Sequence, residues 1–369
     1  MVHDVWIEVD LAALRHNLQQ VRRVLADGVG IMAVVKANGY AHGYVEPSRA
    51  FLDAGADALG VTRLDEALVI REAGITAPVL LFAPIDPENA PAAIEADLEV
   101  TVTGFPLVQA VSAAAVKFNK TARVHVKVDT GMGRLGVQPG GVPAFFEAIG
   151  DLPSIEVGGI YTHFAAAAES DISESRKQLA AFVGLLDQLK RSQVDYGLAH
   201  AASSAAIVRL PLSHLDMVRP GTVLYGQYPS PHVPRALDLK TTWRLKSRIC
   251  QVRTLAAGTS VGYGSGYVTK RQTRTAVVPI GFADGFTLAP EGPIYRQSAL
   301  KFIGKKMRRN VTVEVHGRKA PVVGRVAMQM TTIDVTDISG VKVGDEVVVP
   351  ALRIPTSALI PRVYVESSC

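Results

Sequence analysis

Ile31-Met32-Ala33-Val34-Val35-Lys36-Ala37-Asn38-Gly39-Tyr40-Ala41-His42-Gly43 is the stretch on which the reading of the fold turns. Five apolar residues, closed by a lysine and a glycine-punctuated loop, have the composition of a strand buried on both faces, as in a parallel sheet. Such a strand holds the stem of Lys36 by packing and delivers its ammonium to a concave site. Desolvation there lowers the pKa and makes the amine a nucleophile towards aldehydes. On an isolated strand the same lysine would cap the end and face water, since lysines are almost never fully buried. The rest of the chain decides between the two.

Outward from this stretch, short β-branched runs alternate with amphipathic or alanine-rich ones. Strands are expected at 31–36, 56–61, 78–82, 98–102, 123–128, 155–162, 194–200 and 215–219, with helices at 11–25, 63–73, 106–118 and 175–191. Eight strands with helical crossovers predict an α/β fold, a (β/α)8 TIM-type barrel. A doubly wound open sheet is the alternative, but it would carry a glycine-rich fingerprint after the first strand, and none is present. The segment 229–234 has three prolines in six residues and reads as a linker. Beyond it the period falls from 3.6 to 2, with strands expected at 248–255, 275–279, 311–315, 330–335 and 346–349. The expected organisation is a barrel over 1–235 that includes an opening strand at 5–9, then a smaller, mainly β domain over 236–369.

Bulk composition narrows the function classes. Over 369 residues, 48% are hydrophobic and 20% charged, ordinary for a globular protein of two domains. A net charge of +5 is mild and dispersed, so no nucleic-acid partner is expected. The short basic cluster 305–309 reads as a solvated turn between strands. Cys250 and Cys369 lack metal-ligand spacing, and neither a metal nor a disulfide is expected. No apolar stretch reaches the length of a membrane span and the amino terminus has no leader-like core, so a soluble, cytoplasmic protein is expected.

A barrel concentrates chemistry at the carboxyl ends of its strands. The unusual polar residues fall there: Lys36 after the first strand, Lys127 and Arg134 around the fifth, His163 after the sixth, His200–Ser204 after the seventh, and Arg219–Thr222 after the eighth. Loops after strands seven and eight often build a phosphate site in such barrels. Ser203, Ser204, Gly221 and Thr222 supply the N–H and hydroxyl donors for one. Singly, each residue could be a helix cap or half of an ion pair; five such positions sharing one rim argue for a site.

At this point the chain resembles the alanine racemase family. The resemblance is carried by Trp6–Leu11 with His16-Asn17, by Val35–Gly43, and by Asp129-Thr130-Gly131-Met132-Gly133-Arg134-Leu135-Gly136. It continues through Arg219-Pro220-Gly221, Leu224-Tyr225-Gly226, Val261-Gly262-Tyr263-Gly264 and Pro279–Gly285. Together these motifs span nearly the whole chain.

The resemblance implies an enzyme dependent on pyridoxal 5'-phosphate that supplies D-alanine for peptidoglycan and acts as a head-to-tail homodimer. Lys36 would bind the cofactor as a Schiff base and act as one base, and Tyr263 of the partner subunit would be the other. Tyr40, Ser204, Gly221 and Thr222 would cradle the phosphate, with Ser203 beside them, and Arg219 would face the pyridine nitrogen. Arg134 would touch the cofactor and the substrate carboxylate, which the partner's Met328 backbone would also bind. His163 would position Arg219, and Lys127 would be a carbamylation site. These roles suit racemisation, because removing a proton from one face of Cα and returning one to the other takes two groups flanking it.

Three departures stand out. Ser203 occupies a place where the family usually has asparagine, and Gln329 one where it usually has aspartate. Thr356 lies roughly where a tyrosine would reach the phosphate, which implies weaker cofactor retention or a more open entrance. A broader racemase acting on serine, lysine or other amino acids is therefore the alternative. A decarboxylase of the same architecture would need an acid, not Arg219, at the pyridine nitrogen. A non-catalytic cofactor carrier would have no use for Tyr263.

Overall fold

A computed structural model describes residues 3–288 and 311–367. The basic cluster 305–309 and Cys369 lie outside the described residues. The chain divides into two units, Asp10–Thr242 and a second one that joins the chain up to Val9 with Trp243–Val365.

The first unit is a closed barrel of eight parallel strands: Gly30–Val34, Ala58–Val61, Val79–Leu81, Glu99–Val102, Ala122–Lys127, Ile155–Tyr161, Leu198–Ser203 and Met217–Arg219. Closure is made where Gly30 and Ile31 pair with Met217 and Val218. The strands are short and almost wholly buried, as the apolar runs require when helices cover the outside. Preceding the first strand, Leu11–Arg22 forms a helix that Asp10 starts by accepting the Ala13 N–H at 3.0 Å.

The seventh strand starts four residues later than the hydrophobic alternation at Val194–Tyr196 suggests. Gly197 sits at φ +63°, and a Cβ there would come within 2.6 Å of the Gly158 backbone. The chain turns at that close approach, and pairing begins only after it.

The second unit is built on a six-stranded sheet in the order Arg318–Pro321, Thr312–Val315, Glu346–Val349, Trp243–Arg248, Val5–Asp10, Arg362–Val365. A three-stranded sheet of Gln251–Leu255, Thr273–Val278 and Thr331–Asp334 accompanies it. The opening strand therefore belongs with the carboxyl-terminal part and not with the barrel: Val5 pairs with Ser247 and Ile7 with Leu245, antiparallel. The division after the barrel also falls later than 235. The proline-rich segment is tied to the first unit by Ser230 Oγ donating to Ala168 O, and the chain beyond it by Lys240 N–H donating to Asn17 Oδ1 at 2.7 Å. Thr242 Oγ1 then donates to Tyr225 O at 3.0 Å, so the first unit holds the chain up to that residue. No helix among the described residues is long and apolar enough to cross a membrane.

Candidate active site

The connection after the first barrel strand is left-handed. Ala37, Asn38, Gly39 and Tyr40 lie at φ 51–55° and Ala41 at 73°, so four non-glycine residues adopt a conformation that costs about 1–2 kcal/mol each. Internal bonds offset part of that cost: Gly39 N–H donates to Val35 O and Gly43 N–H to Asn38 O, both at 2.9 Å. Glu66, only 4% exposed, clamps the turn from the neighbouring strand end. Its Oε1 accepts from Ala37 N–H at 2.8 Å and the Tyr44 hydroxyl at 3.2 Å, and its Oε2 from Thr62 N–H at 2.8 Å. Lys36, at the root of this turn, has its pKa lowered by burial and by the Arg134 cation, with Glu66 opposing.

Arg134 is presented by a loop folded around Asp129. The Asp129 carboxylate accepts N–H bonds from Gly131, Met132 and Gly133 at 2.8–3.1 Å. Burial pushes its pKa up, but these donors outweigh it and hold the carboxyl below its ordinary range. Gly136, at φ +133°, closes the loop where a Cβ would lie 2.5 Å from the Asp129 nitrogen.

Arg219 ends the eighth strand and is held through both terminal nitrogens. Its Nη1 donates to His200 Nδ1 at 2.8 Å, and its Nη2 donates to Thr162 O at 2.7 Å and Ala201 O at 3.1 Å. The Tyr161 ring stacks on the His200 ring at 4.8 Å and lies 5.1 Å from the guanidinium carbon. Burial lowers the Arg219 pKa to about 10, which leaves it a cation at neutral pH. The positioning expected of His163 is made by His200. His163 itself is driven down to about 3 by burial and then by Arg219, Lys127, Arg134 and Lys36, so it is a neutral ring. Lys127 falls to about 6 through burial and the Arg219 and Arg134 charges, Asp129 opposing.

Just beyond the same two strand ends, Ser204 Oγ accepts the Gly221 N–H at 2.8 Å, tying the seventh and eighth loops together. A Cβ on Gly221 would stand 2.5 Å from the Tyr40 hydroxyl oxygen, so only glycine lets that phenol approach. Lys36, Lys127, Arg134, His163 and Arg219 line one cavity of about 380 Å³, and Tyr40, Ser203, Ser204, Gly221 and Thr222 line it as well. Two guanidiniums, Arg134 and Arg219, and two lysine amines face it, and no acid is among its described lining residues. Such a cavity suits a small molecule with more than one anionic group.

Residues 9–229 match the family described as alanine racemase, N-terminal domain, and residues 242–358 the alanine racemase, C-terminal domain. The alanine racemase of Methanococcus maripaludis is 41% identical over 94% of this chain and 89% of its own. That of Desulfovibrio desulfuricans is 36% identical over 98% of both chains. The chain belongs to the alanine racemase family. Among solved structures, the Clostridium difficile alanine racemase superposes with a TM-score of 0.89 at 31% identity, over 99% of this chain and 97% of that one. The Bacillus anthracis alanine racemase with bound L-Ala-P does so with 0.85 at 30%, over 99% and 96%.

The two remaining positions that the alanine racemase resemblance singles out, Tyr263 and Met328, lie in the second unit. Both side chains are exposed, at 74% and 62%. Tyr263 heads a short turn between Gly262 and Gly264, both with positive φ. The Met328 loop folds onto Gly281, where a Cβ would lie 2.4 Å from Met328 O. Gln329 is exposed, whereas Thr356 is buried and donates its hydroxyl to Leu352 O at 2.8 Å. Sequence reasoning missed Glu66, Tyr161 and the role of His200. Glu66 reads as an ordinary helix-start acid, and its second job, on Ala37, carries no local signal. Among the described residues no group of His, Cys, Asp and Glu could hold a metal.

Proposed function

We propose that the chain interconverts L- and D-alanine with pyridoxal 5'-phosphate, by proton transfer on both faces of Cα. The observation that carries this reading is the gathering of a lysine of lowered pKa, a buried guanidinium and a hydroxyl-rich rim in one acid-free cavity. The residues fit the cofactor. Tyr40, Ser204 and Thr222 offer hydroxyls to its phosphate, and the missing Cβ of Gly221 leaves the backbone close to them. Lys36 would hold it through its aldehyde carbon.

When bound, the cofactor supplies an electron-poor ring that acidifies the α-hydrogen of an attached amino acid. Lys36, whose pKa is lowered by burial and by the Arg134 charge, takes or returns that hydrogen on one face. Tyr263 of the partner subunit serves the other face in a head-to-tail homodimer. Its exposure on this chain supports such a role. Arg134 holds the substrate carboxylate, together with the partner's Met328 through its N–H.

Arg219 can only donate, so a pyridine nitrogen facing it keeps its lone pair and gains no proton. That leaves the ring a weaker electron sink and favours prompt return of the proton to Cα over side reactions. The D-alanine formed would serve cell-wall peptidoglycan, made from the cytoplasm.

The test uses purified protein with added cofactor and L-alanine in heavy water, following optical rotation and deuterium at Cα. Loss of rotation with α-deuteration is expected, without pyruvate or amine. Tyr263→Phe should lower turnover from L-alanine by roughly 10²–10⁴-fold, with the cofactor's absorbance unchanged. Retained chirality, or turnover in both directions left unchanged in that variant, refutes the two-base reading. A panel of longer amino acids distinguishes a broader racemase.

A further inference from the structure

A polar line runs through the barrel interior that the chemistry above does not use. His200, whose Nδ1 takes the Arg219 hydrogen bond, has its Nε2 3.0 Å from His125 Nδ1. His125 Nε2 lies 3.0 Å from Glu99 Oε2. Glu99 Oε1 is 3.5 Å from Arg123 Nη1, and Arg123 Nε is 3.2 Å from Glu156 Oε1. Glu99 opens the fourth barrel strand, His125 sits within the fifth, His200 within the seventh, and Arg219 closes the eighth. The line therefore climbs from the amino ends of the strands to the carboxyl ends. Glu99, His125, His200 and Arg219 are all buried.

The bonds dictate where every proton sits. A guanidinium only donates, so His200 Nδ1 must accept and its single proton is on Nε2. His125 Nδ1 must then accept that proton's hydrogen bond, which places the His125 proton on Nε2, donated to the Glu99 carboxylate. Protonating His125 as well would set two N–H groups against each other, or strip His200 of its single proton. Burial, and then the neighbouring Arg219 cation, keep His200 from taking a second proton. Burial alone would push Glu99 up, but His125, Arg123 and Arg71 hold its carboxyl below the ordinary range.

We propose that Glu99, acting through His125 and His200, is a positioning residue for Arg219. The buried carboxylate sets both imidazole tautomers, so that His200 presents a lone pair to the guanidinium and holds it in one orientation. The proposal rests on the reading of Arg219 as the partner of the cofactor's pyridine nitrogen. An amide at position 99 could donate to His125 Nε2 and turn that ring to its Nδ1–H form. The mismatch would pass to His200 and leave it facing Arg219 with a hydrogen instead of a lone pair. A change more than a hundred residues away in sequence thus reaches the rim through two ring flips in proton position, without moving the backbone.

The test is the tautomer state of these histidines in holoenzyme labelled with [15N]histidine, read from long-range 1H–15N correlations between pH 6 and 9, beside kinetics. Wild type should show His200 as the neutral Nε2–H form throughout, donating to His125 Nδ1. Glu99→Gln should mix the tautomers and lower kcat about tenfold, the scale found when an outer partner of a site's contact group is lost, with KM for alanine within about twofold. Glu99→Asp, which keeps the charge, should restore most of the turnover.

A wild-type His200 carrying its proton on Nδ1 overturns the proposal, and this holds even if Glu99→Gln fails to fold. Unchanged turnover in a Glu99→Gln protein overturns it too, whether its tautomers are mixed or not. A wild type that shows the stated tautomers but does not racemise alanine would sink the racemase reading and leave the relay standing.

Discussion

Lys127 is the most unusual titrating group of the cavity, and its behaviour can be worked out in numbers. With a pKa of about 6, roughly 97% of Lys127 is neutral at pH 7.5, against roughly 0.1% of a lysine at the ordinary value of about 10.4. The free amine is thus enriched on the order of a thousandfold. A neutral amine attacks carbon dioxide: an N–C bond forms, one proton leaves to solvent, and a carbamate with one negative charge remains. Two cations, Arg219 and Arg134, depress the amine and would stabilise that anion. Among the described residues its own ammonium has Val128 O at 3.5 Å and the Tyr161 ring at 4.7 Å, with the Asp129 charge further off.

Protein equilibrated with 13C-bicarbonate should therefore show a carbamate carbon signal. It should be absent in Lys127→Ala and should fade as pH drops below about 6. Removing carbon dioxide should lower kcat/KM for alanine about tenfold through a less ordered Arg134, and bicarbonate should restore it. No carbamate at saturating bicarbonate, or one that survives Lys127→Ala, would refute the reasoning.

Gly221→Ala would place a Cβ 2.5 Å from the Tyr40 hydroxyl oxygen, so the ring or the loop must shift. Pyridoxal phosphate affinity should fall about tenfold, or about 1.4 kcal/mol, in a fluorescence titration of the apoenzyme; unchanged affinity would remove Gly221 from the cradle. His163 makes a pH prediction. Its folded-state pKa of about 3 lies below the unfolded value, so the unfolded chain binds the extra proton first and stability falls as pH drops from about 6.5 towards about 3. Between pH 7.5 and 5 the loss from this group is about 2 kcal/mol at about 1.4 kcal/mol per pH unit. Urea denaturation at the two pH values should show a smaller loss for His163→Gln, and equal losses would mean His163 is protonated in the fold.

Much of the barrel was legible in the chain because its signals are local. Apolar runs of four to six residues, helical spacing between them and Gly or Pro at the turns name the eight strands without knowledge of their partners. Strand ends also named the cavity, so the positions from Lys36 to Thr222 could be listed before any of them was seen together. The opening strand was legible as a strand but not as part of the second unit. Its partner, Trp243–Arg248, lies more than two hundred residues on, and alternation does not say which sheet a strand will join.

What periodicity and motif determine, then, is the set of elements and the residue types carried to one rim. The environment of those residues was decided only by tertiary structure. Glu66 reaches back twenty-nine positions to the Lys36 turn, and His200 takes from His163 the task of holding Arg219. Lys127 loses its proton because burial, the distant Arg219 and the nearby Arg134 raise the energy of its charge. Hydrogen bonds and desolvation act through space, over a few ångströms, between residues the chain keeps far apart. A sequence records which groups are available, and only the folded barrel brings them close enough to change one another's chemistry.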